Sequence, residues 1–409
     1  MSIYCGIDWS ERHHDVALID DAGQLVARKR ISEGVDGLTE LLDMLAAAGD
    51  TAENPIPVAI ETPRGLLVAA LRATGRPIYP INPMAVARYR DRHTASRGKS
   101  DHVDAMVLAN ILRTDAHVHR VLPADTPLVR AIAVLARAHQ DATWRRVKLL
   151  QELRAVLREY YPGFLAAFGT QATNLASPDA RAVLAIAPTP AAAAALSQQR
   201  IATALRRAGR QRRIAATAER VRRCLRQPQL RHDPQVEDAM GTHALALLEV
   251  LNATCQSEQH LAQATVEAFQ QHPDHEIITS FPGLADLTGA RVLAEIGDCR
   301  DRFTDARALK AYAGSAPITR ASGRTITVTR RRIKNDRLCA VGFVWAFMAI
   351  TNSATARAHY DRRRASGDRH AAALRHLFNR LLGQLHYCLT TGQTYNDAKA
   401  FTAAPPAAA

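Results

Sequence analysis

The stretch Lys99-Ser100-Asp101-His102-Val103-Asp104-Ala105 is predicted to form the first turn of a helix. Ser100 is a residue type preferred at helix N-caps, and apolar residues follow it at helical spacing: Val103, Met106, Val107 and Ile111. Two carboxylates three residues apart project from one face of a helix, so Asp101 and Asp104 repel each other unless a cation or water compensates them. Taken alone, the pair indicates either a solvated acidic first turn, which the helix dipole favours, or part of a cation site.

Charge and cysteine usage narrow the class of protein. The chain has 409 residues and a net charge of +14, because 53 Lys and Arg outnumber 39 Asp and Glu. Such a basic excess favours a polyanionic partner, most often nucleic acid, over a generic solubility charge. Six scattered cysteines form no C-x-x-C pair, which argues against a thiolate zinc site or a disulfide framework and predicts a reducing compartment.

The sequence predicts a cytoplasmic protein without a membrane partner. The N-terminal residues carry no basic segment followed by a long apolar core, so no signal peptide is expected. The apolar run from Val341 to Ile350 is shorter than the ~18 residues that a membrane span needs.

Upstream of Asp101, short apolar runs alternate with helical patterns. The predicted order is three strands, helix, strand, helix, strand, helix, with bounds at residues 2–8, 16–20, 24–28, 35–48, 57–60, 65–74 and 77–81 before the helix at 100. This is the order of a ribonuclease H-like α/β domain, in which acids at the ends of adjacent central strands meet acids on a later helix. Spacing alone does not establish that fold, but it explains how four carboxylates could converge: Asp8, Glu61, Asp101 and Asp104.

Four clustered carboxylates need a compensating charge. Two Mg²⁺ ions about 4 Å apart supply it in phosphoryl transfer. Magnesium prefers oxygen ligands, whereas the nearby histidines would suit a softer metal, so a surface or base-stacking role is predicted for His13, His14, His93 and His102.

A basic segment lies between the predicted acids. Its cations are interleaved with Tyr89 and His93, a pattern that suits a phosphate backbone with stacked bases and equally suits a solvated loop. The candidate nucleic-acid-binding residues here are Arg88, Arg90, Arg92, Arg97 and Lys99.

The middle of the chain is predicted to be helical. A helix covers about 128–160, residues 161–196 form an alanine- and proline-rich linker with helical pieces, and residues 197–272 form a long helical coiled-coil region with a run of arginines from Arg206 to Arg226. Helical arms of this kind pair either between subunits or as an antiparallel hairpin within one chain.

The C-terminal third combines a helix-hairpin-helix signature with a serine among arginines. In residues 278–297, Pro282-Gly283-Leu284 forms the turn, Gly283 lets backbone amides approach a phosphate, and a helix runs from Thr288 to about Gly297. Ser315 and Ser322 each lie beside a glycine in the segment that follows. A serine beside glycine is most often a turn residue, but here a serine hydroxyl could attack a phosphodiester held by cations. The candidate cations are Arg320, Arg324, Arg330, Arg331, Arg332 and Lys334.

Together these motifs resemble the DEDD transposases of the insertion-sequence-110 family, which are recombinases guided by a bridge RNA. The resemblance rests on collinear segments: Gly6-Ile7-Asp8, Ile60-Glu61-Thr62, Lys99 to Ala105, Phe281-Pro282-Gly283-Leu284 through Ala294 to Asp298, and Tyr312-Ala-Gly314 to Ser322-Gly323. It implies a RuvC-like domain over 1–160, the helical coiled-coil insertion and a mainly helical transposase domain over 273–398. Residues 399–409 are expected to form a flexible tail.

The resemblance also implies a mechanism. Asp8, Glu61, Asp101 and Asp104 match the family's Mg²⁺-binding acids, and Ser322 matches its serine nucleophile, which would link DNA covalently to the protein. Donor and target DNA, a bridge RNA and a homodimer or homotetramer are the implied partners. The chain has Ala321 where the family commonly has glutamine, and Ser315 where it commonly has leucine, so Ser315 remains a second candidate nucleophile.

Two other functions fit the same residues. A RuvC-like junction-resolving nuclease would use a metal-activated water instead of the serine, and a non-enzymatic nucleic-acid scaffold would need only the basic charge and the helix-hairpin-helix. The sequence of the chain specifies neither the target site nor the guide RNA, because pairing with a guide would carry that specificity.

Overall fold

The computed structural model describes residues 2–93, 101–169 and 171–401. The chain divides into two compact units, residues 1–124 (unit 1) and 125–409 (unit 2). Unit 1 contains β1 (Tyr4–Trp9), β2 (His13–Ile19), β3 (Leu25–Ser32), α1 (Val35–Ala47), β4 (Val58–Ile60), α2 (Leu66–Ala73), β5 (Ile78–Pro80), α3 (Pro83–His93) and α4 (Asp101–Asp115).

The strands of unit 1 form one mixed sheet in the order β3-β2-β1-β4-β5. β1 pairs antiparallel with β2 and parallel with β4, and β5 extends the parallel half. The predicted strands and the helices α1 and α2 are confirmed. The helix α3 was not predicted: it begins at Pro83, whose fixed φ suits a first helical position, and it carries part of the basic segment.

Alternation along the strands separates two cores in unit 1. Cys5 and Ile7 of β1 face the core that includes α1 and α2, whereas Gly6 faces α4. A Cβ on Gly6 would lie 2.0 Å from the carbonyl oxygen of Ala105 and 2.5 Å from the backbone nitrogen of Ala109. The backbone of α4 therefore lies directly on β1, and only glycine permits that approach.

Unit 2 is mainly helical. Its elements are α5 (Pro127–Tyr160), α6 (Pro162–Phe168), α7 (Pro178–Ile186), α8 (Pro190–Ala194), α9 (Gln198–Arg207), α10 (Ile214–Leu225), α11 (Pro234–Gln270), α12 (His275–Thr279), α13 (Asp286–Ile296), α14 (Ala306–Tyr312), β6 (Ile318–Ser322), β7 (Thr325–Thr329), α15 (Asp336–Asn352), α16 (Ala354–Ala365), α17 (His370–Thr391) and α18 (Asp397–Ala400).

The two longest helices, α5 and α11, pack along each other within the chain. They run antiparallel, because Thr143 near the middle of α5 donates to Glu258 late in α11, whereas Tyr160 at the end of α5 lies within electrostatic reach of Glu237 at the start of α11. This intrachain pairing joins the predicted helix over 128–160 to the second half of the predicted coiled-coil region.

The linker predicted over 161–196 is wrong. Its segments form α6, α7 and α8, and they pack against α5, α9, α10 and α11 in a common core that contains Phe164, Leu175 and Val183. Pro162, Pro178 and Pro190 occupy the first turns of these helices instead of interrupting them. The predicted domain boundary at 160 also differs from the division at 124/125, because α5 packs on α11 and α13 of unit 2.

The second core of unit 2 includes the predicted helix-hairpin-helix. Its second helix, α13, begins at Asp286, two residues before the predicted Thr288. Gly283 has φ +84°, and a Cβ there would lie 2.7 Å from the backbone nitrogen of Ala349 in α15. The space beside Gly283 is therefore filled by α15, and helix packing rather than approach to a phosphate accounts for the glycine. Trp345 of α15 donates from Nε1 to the carbonyl of Pro282, at 3.0 Å.

The predicted tail over 399–409 is packed at its start. The carbonyl of Ala400 accepts from Arg380 and Gln384, and Phe401 contacts His359. Residues 402–409 lie outside the described residues. Within the described ranges, no single helix has the length and apolar character to cross a membrane; α15 and α16 meet that criterion only as a pair bent by 111°.

Candidate active site

Three of the four predicted carboxylates belong to the α4 side of the sheet in unit 1. Ile7 pairs with Ile60 in the parallel register of β1 and β4, so Asp8 and Glu61 occupy the next position on adjacent strands. Side chains alternate along a strand, and Gly6 and Ala59, two residues earlier, both face α4. Asp8 lies in β1 and Glu61 directly follows β4, so the alternation predicts that both project from that same face. Both are half-buried.

The helix α4 supplies the third carboxylate. Asp104 is buried and directly precedes Ala105, the residue whose carbonyl lies against Gly6. Asp101 is the first residue of α4, but its side chain lies outside the described residues, as do the side chain of Arg92 and the whole of Arg97 and Lys99.

A cation from the basic segment neutralises Asp104. Arg90 of α3 is half-buried and forms an ion pair with this carboxylate through Nη2. A buried carboxylate without a partner is strongly destabilising, so Arg90 provides the charge compensation that the sequence assigned to a metal. Arg88 is exposed on the same helix, so its side chain is accessible to a phosphate backbone.

The donor set suits Mg²⁺ by its chemistry. Asp8, Glu61 and Asp104 offer carboxylate oxygens, the ligands that this hard cation prefers. Among the side chains that the structure describes, no three potential ligands lie close enough together to hold a metal ion, and Asp101 is not part of that comparison. Asp104 would have to exchange Arg90 for the metal.

The prediction of a surface role is wrong for His14. This side chain is buried in β2, its Nε2 lies 2.8 Å from Glu33, and its ring stacks on Trp9. His14 therefore supports the fold beside β1. His102 lies outside the residues whose side chains are described.

Ser322 lies at the tip of an exposed hairpin in unit 2. It ends β6 and pairs with Thr325 of β7, so Gly323 and Arg324 form a two-residue turn, with Gly323 at φ +55°. Every residue from Thr319 to Arg330 is exposed. The hydroxyl of Ser322 is consequently accessible to a large substrate.

The predicted cations lie within this hairpin or shortly after it in the chain. The exposed ones are Arg320, Arg324, Arg330 and Arg332. Arg331 and Lys334 are half-buried, and Lys334 forms an ion pair with Asp336. The exposed guanidinium groups are suited to bind phosphate oxygens bidentately.

The second candidate nucleophile, Ser315, has a different environment. It is 4 % exposed, and its Oγ donates to the carbonyl of Lys310 and accepts from Nδ2 of Asn379, both at 3.2 Å. Its hydroxyl is engaged in packing between α14 and α17. Of the two hydroxyls, that of Ser322 is the accessible one.

A buried polar network joins two of the motifs and was missed by sequence reasoning. Glu295 is 3 % exposed and accepts from Arg137 at 2.8 and 3.1 Å and from Asn335 at 2.7 Å, and Asn335 also donates to the hydroxyl of Tyr312. The hydrogen bond to Glu295 raises the pKa of Arg137 further above its usual value. The available signal was an acidic residue on the otherwise apolar face of α13.

Comparison with known proteins defines the class. Residues 5–162 match a family model described as a transposase, and residues 275–361 match a second model, described as the transposase of the IS116/IS110/IS902 family. The first match covers the carboxylate face of unit 1. The second covers the Ser322 hairpin and Glu295, Tyr312 and Asn335 of the polar network, whose Arg137 lies in the first match. The chain is thus a transposase, an enzyme class that cuts and rejoins DNA.

Relatives along the full length specify the family. The chain is 57 % identical over 409 residues to a mini-circle protein of Streptomyces coelicolor named as a transposase for IS117, covering 100 % of this chain and 99 % of that protein. It is 26 % identical to the 43.6 kDa protein of insertion element IS110 from the same organism, over 97 % of this chain and 96 % of the other. It is 27 % identical to the 42 kDa protein of insertion element IS900 from Mycobacterium paratuberculosis, over 98 % and 99 %. The chain belongs to the IS116/IS110/IS902 family, which confirms the family predicted from the motifs.

Proposed function

We propose that this transposase exchanges DNA strands through a serine nucleophile assisted by Mg²⁺ on a ribonuclease H-like unit. The observation that carries the proposal is the register of β1 with β4, which directs Asp8 and Glu61 to the face where α4 presents Asp104. The strand order β3-β2-β1-β4-β5 supports the ribonuclease H-like assignment.

The carboxylates would hold the metal. Asp8, Glu61, Asp101 and Asp104 are the proposed ligands, and bound Mg²⁺ would polarise a phosphoryl oxygen and neutralise charge that develops there. Arg90, once released from Asp104, would bind a DNA phosphate, which is the role predicted for it from the sequence.

Ser322 would carry out the covalent step. Its Oγ would attack the phosphorus of a DNA phosphodiester, and the bond to the departing sugar oxygen would break. The proton lost by the serine hydroxyl would balance the one gained by the sugar oxygen, and a phosphodiester would link one DNA end to Ser322. The cations around the hairpin would bind the phosphate and stabilise the transition state. They are Arg320, Arg324, Arg330, Arg331, Arg332 and Lys334.

The proposal includes three kinds of partner. Donor and target DNA are the substrates, a bridge RNA would select them by base pairing, and a homodimer or homotetramer would bring two DNA molecules together. Exposed arginines on unit 2, such as Arg206 and Arg207, support contact with nucleic acid.

The test is an assay for covalent adducts in Mg²⁺ with the native element and its flanking noncoding DNA. Ser322→Ala and Asp104→Asn should both abolish the adduct. Ser315→Ala is the matched serine control: it should keep the adduct and lower stability by about 1–2 kcal/mol through its lost hydrogen bonds.

Other outcomes would contradict parts of the proposal. Loss of the adduct in Ser315→Ala alone would make Ser315 the nucleophile. Cleavage without any adduct, unaffected by Ser322→Ala, would instead indicate the junction-resolving nuclease with a metal-activated water. DNA binding and strand transfer that both survive Asp8→Asn would reject the metal site.

A further inference from the structure

A cavity of about 250 Å³ lies at the base of the Ser322 hairpin in unit 2. Ser315, before β6, and Arg330, directly after β7, both line it, so the hairpin extends from its rim. The cavity is smaller than the ~300–1,000 Å³ typical of drug-sized ligand sites, which suits one ring system and not a base pair.

One wall of the cavity is apolar. It comprises Phe343 of α15 and Leu374 and Phe378 of α17. Leu374 and Phe378 are buried in the second core of unit 2, whereas Phe343 is 46 % exposed and presents its ring at the edge. An exposed aromatic ring beside an apolar wall is suited to stacking with a nucleobase.

The other wall is cationic. Arg330, Arg331, Lys334 and Arg375 line it, and none of the described lining residues is acidic, although Lys334 is paired with Asp336 outside the lining. The Nε of Arg331 is buried and, within the described part of the chain, has no hydrogen-bond partner. A buried guanidinium nitrogen without an acceptor is able to donate to a ligand that offers acceptor oxygens.

We propose that this cavity binds one unpaired nucleotide of a substrate or guide strand. Its base would enter against Phe343, Leu374 and Phe378, and its phosphate would bind Arg331 and Arg375. A base inside a duplex cannot reach such a cavity, so the nucleotide must be extruded or lie in a single-stranded segment. The five residues from Ile318 to Ser322 span roughly 14 Å of extended strand, so the bound nucleotide would fix the strand near the proposed nucleophile.

This inference deepens the proposed function, since it requires a nucleic-acid strand on the Ser322 side of unit 2. Its test is binding, which does not depend on cleavage. Fluorescence anisotropy would compare the full chain and its variants on short single-stranded DNA, on single-stranded RNA of the same sequence, and on an abasic deoxyribose-phosphate oligomer of equal length.

Two pairs of variants provide matched controls. Phe343→Ala is paired with Phe347→Ala, because both rings are 46 % exposed on α15, both contact His370, and Phe347 does not line the cavity. Arg375→Ala is paired with Arg369→Ala, whose side chain is exposed outside the cavity.

Phe343→Ala should weaken binding of the base-bearing strand about tenfold and leave the abasic oligomer unchanged, because stacking is worth roughly 1–3 kcal/mol per base. Arg375→Ala should weaken binding of both the base-bearing strand and the abasic oligomer. The two control variants should weaken binding of these oligomers to a smaller extent. The strand type that loses more affinity in Phe343→Ala is the one that supplies the nucleotide.

Equal losses in Phe343→Ala and Phe347→Ala, or an equal loss on the abasic oligomer, would overturn the base-binding site. Because Ser322→Ala should bind like wild type, a failure of the adduct assay with intact Phe343-dependent binding would reject the serine mechanism alone. A normal adduct without Phe343-dependent binding would reject the nucleotide site in the cavity alone.

Discussion

Replacing Gly6 by alanine tests whether the contact of α4 with β1 positions Asp104. The new Cβ would lie 2.0 Å from the carbonyl oxygen of Ala105 and 2.5 Å from the nitrogen of Ala109, whereas ordinary contact begins at 3.4 Å. Both opposing atoms are backbone, so no rotamer change relieves the clash and α4 must retreat by about 1 Å or more. Overpacking of this kind costs about 1–3 kcal/mol, and a shift of about 1 Å in a reacting group can cost about 100-fold in rate.

The assay combines urea unfolding with the rate of adduct formation, measured well below the unfolding midpoint. Gly49→Ala is the control, because Gly49 has φ +91° with nothing within 4 Å of its Cβ position, so that alanine adds only backbone strain. We expect both variants to lose stability and only Gly6→Ala to lose adduct formation. A Gly6→Ala protein with the stability and rate of wild type would refute the close approach of α4 to β1.

Two further predictions concern unit 2. Burial, together with the positive charge of Arg291, lowers the pKa of His139 to about 4 from 6.5. Between these two pH values the unfolded chain binds a proton that the folded chain does not. The free energy of unfolding should therefore fall by up to about 3 kcal/mol as the pH drops from 6.5 to 4. Urea unfolding across this range should show a shallower pH dependence in His139→Asn, and an unchanged slope would contradict the assignment. Arg137→Ala leaves Glu295 buried with Asn335 as its remaining donor among the described side chains, and the free energy of unfolding should fall by about 3 kcal/mol. The double variant Arg137→Ala with Glu295→Gln should regain part of that stability in the same assay. If it regains none, packing of the arginine matters more than its charge.

Most strands of unit 1 could be predicted because they contain a short apolar run, whereas the charged second half of β3, from Arg28 to Ser32, carries no such run and extends beyond the predicted end. The runs that end before Asp8 and Glu61 made these two carboxylates candidates. The helix α3 could not be recognised, since its few apolar residues are interrupted by the arginines from Arg88 onward.

Proline explains the main error in the middle of the chain. Pro178 and Pro190 were interpreted as interruptions of a linker, yet a proline in the first turn of a helix loses no hydrogen bond, and both start helices there. The ion pair of Arg90 with Asp104 and the network around Glu295 join elements far apart in the chain, and no local pattern specifies such contacts.

The hairpin that carries Ser322 contributes to none of the hydrophobic cores formed by the described residues. Its sequence is therefore almost free of folding constraints beyond the turn at Gly323. Substitutions in these strands should therefore leave the helices of unit 2 folded. Diversity among related elements should accordingly concentrate at the hairpin positions other than the proposed phosphate-binding arginines, with Ser322 and Gly323 held constant at the tip.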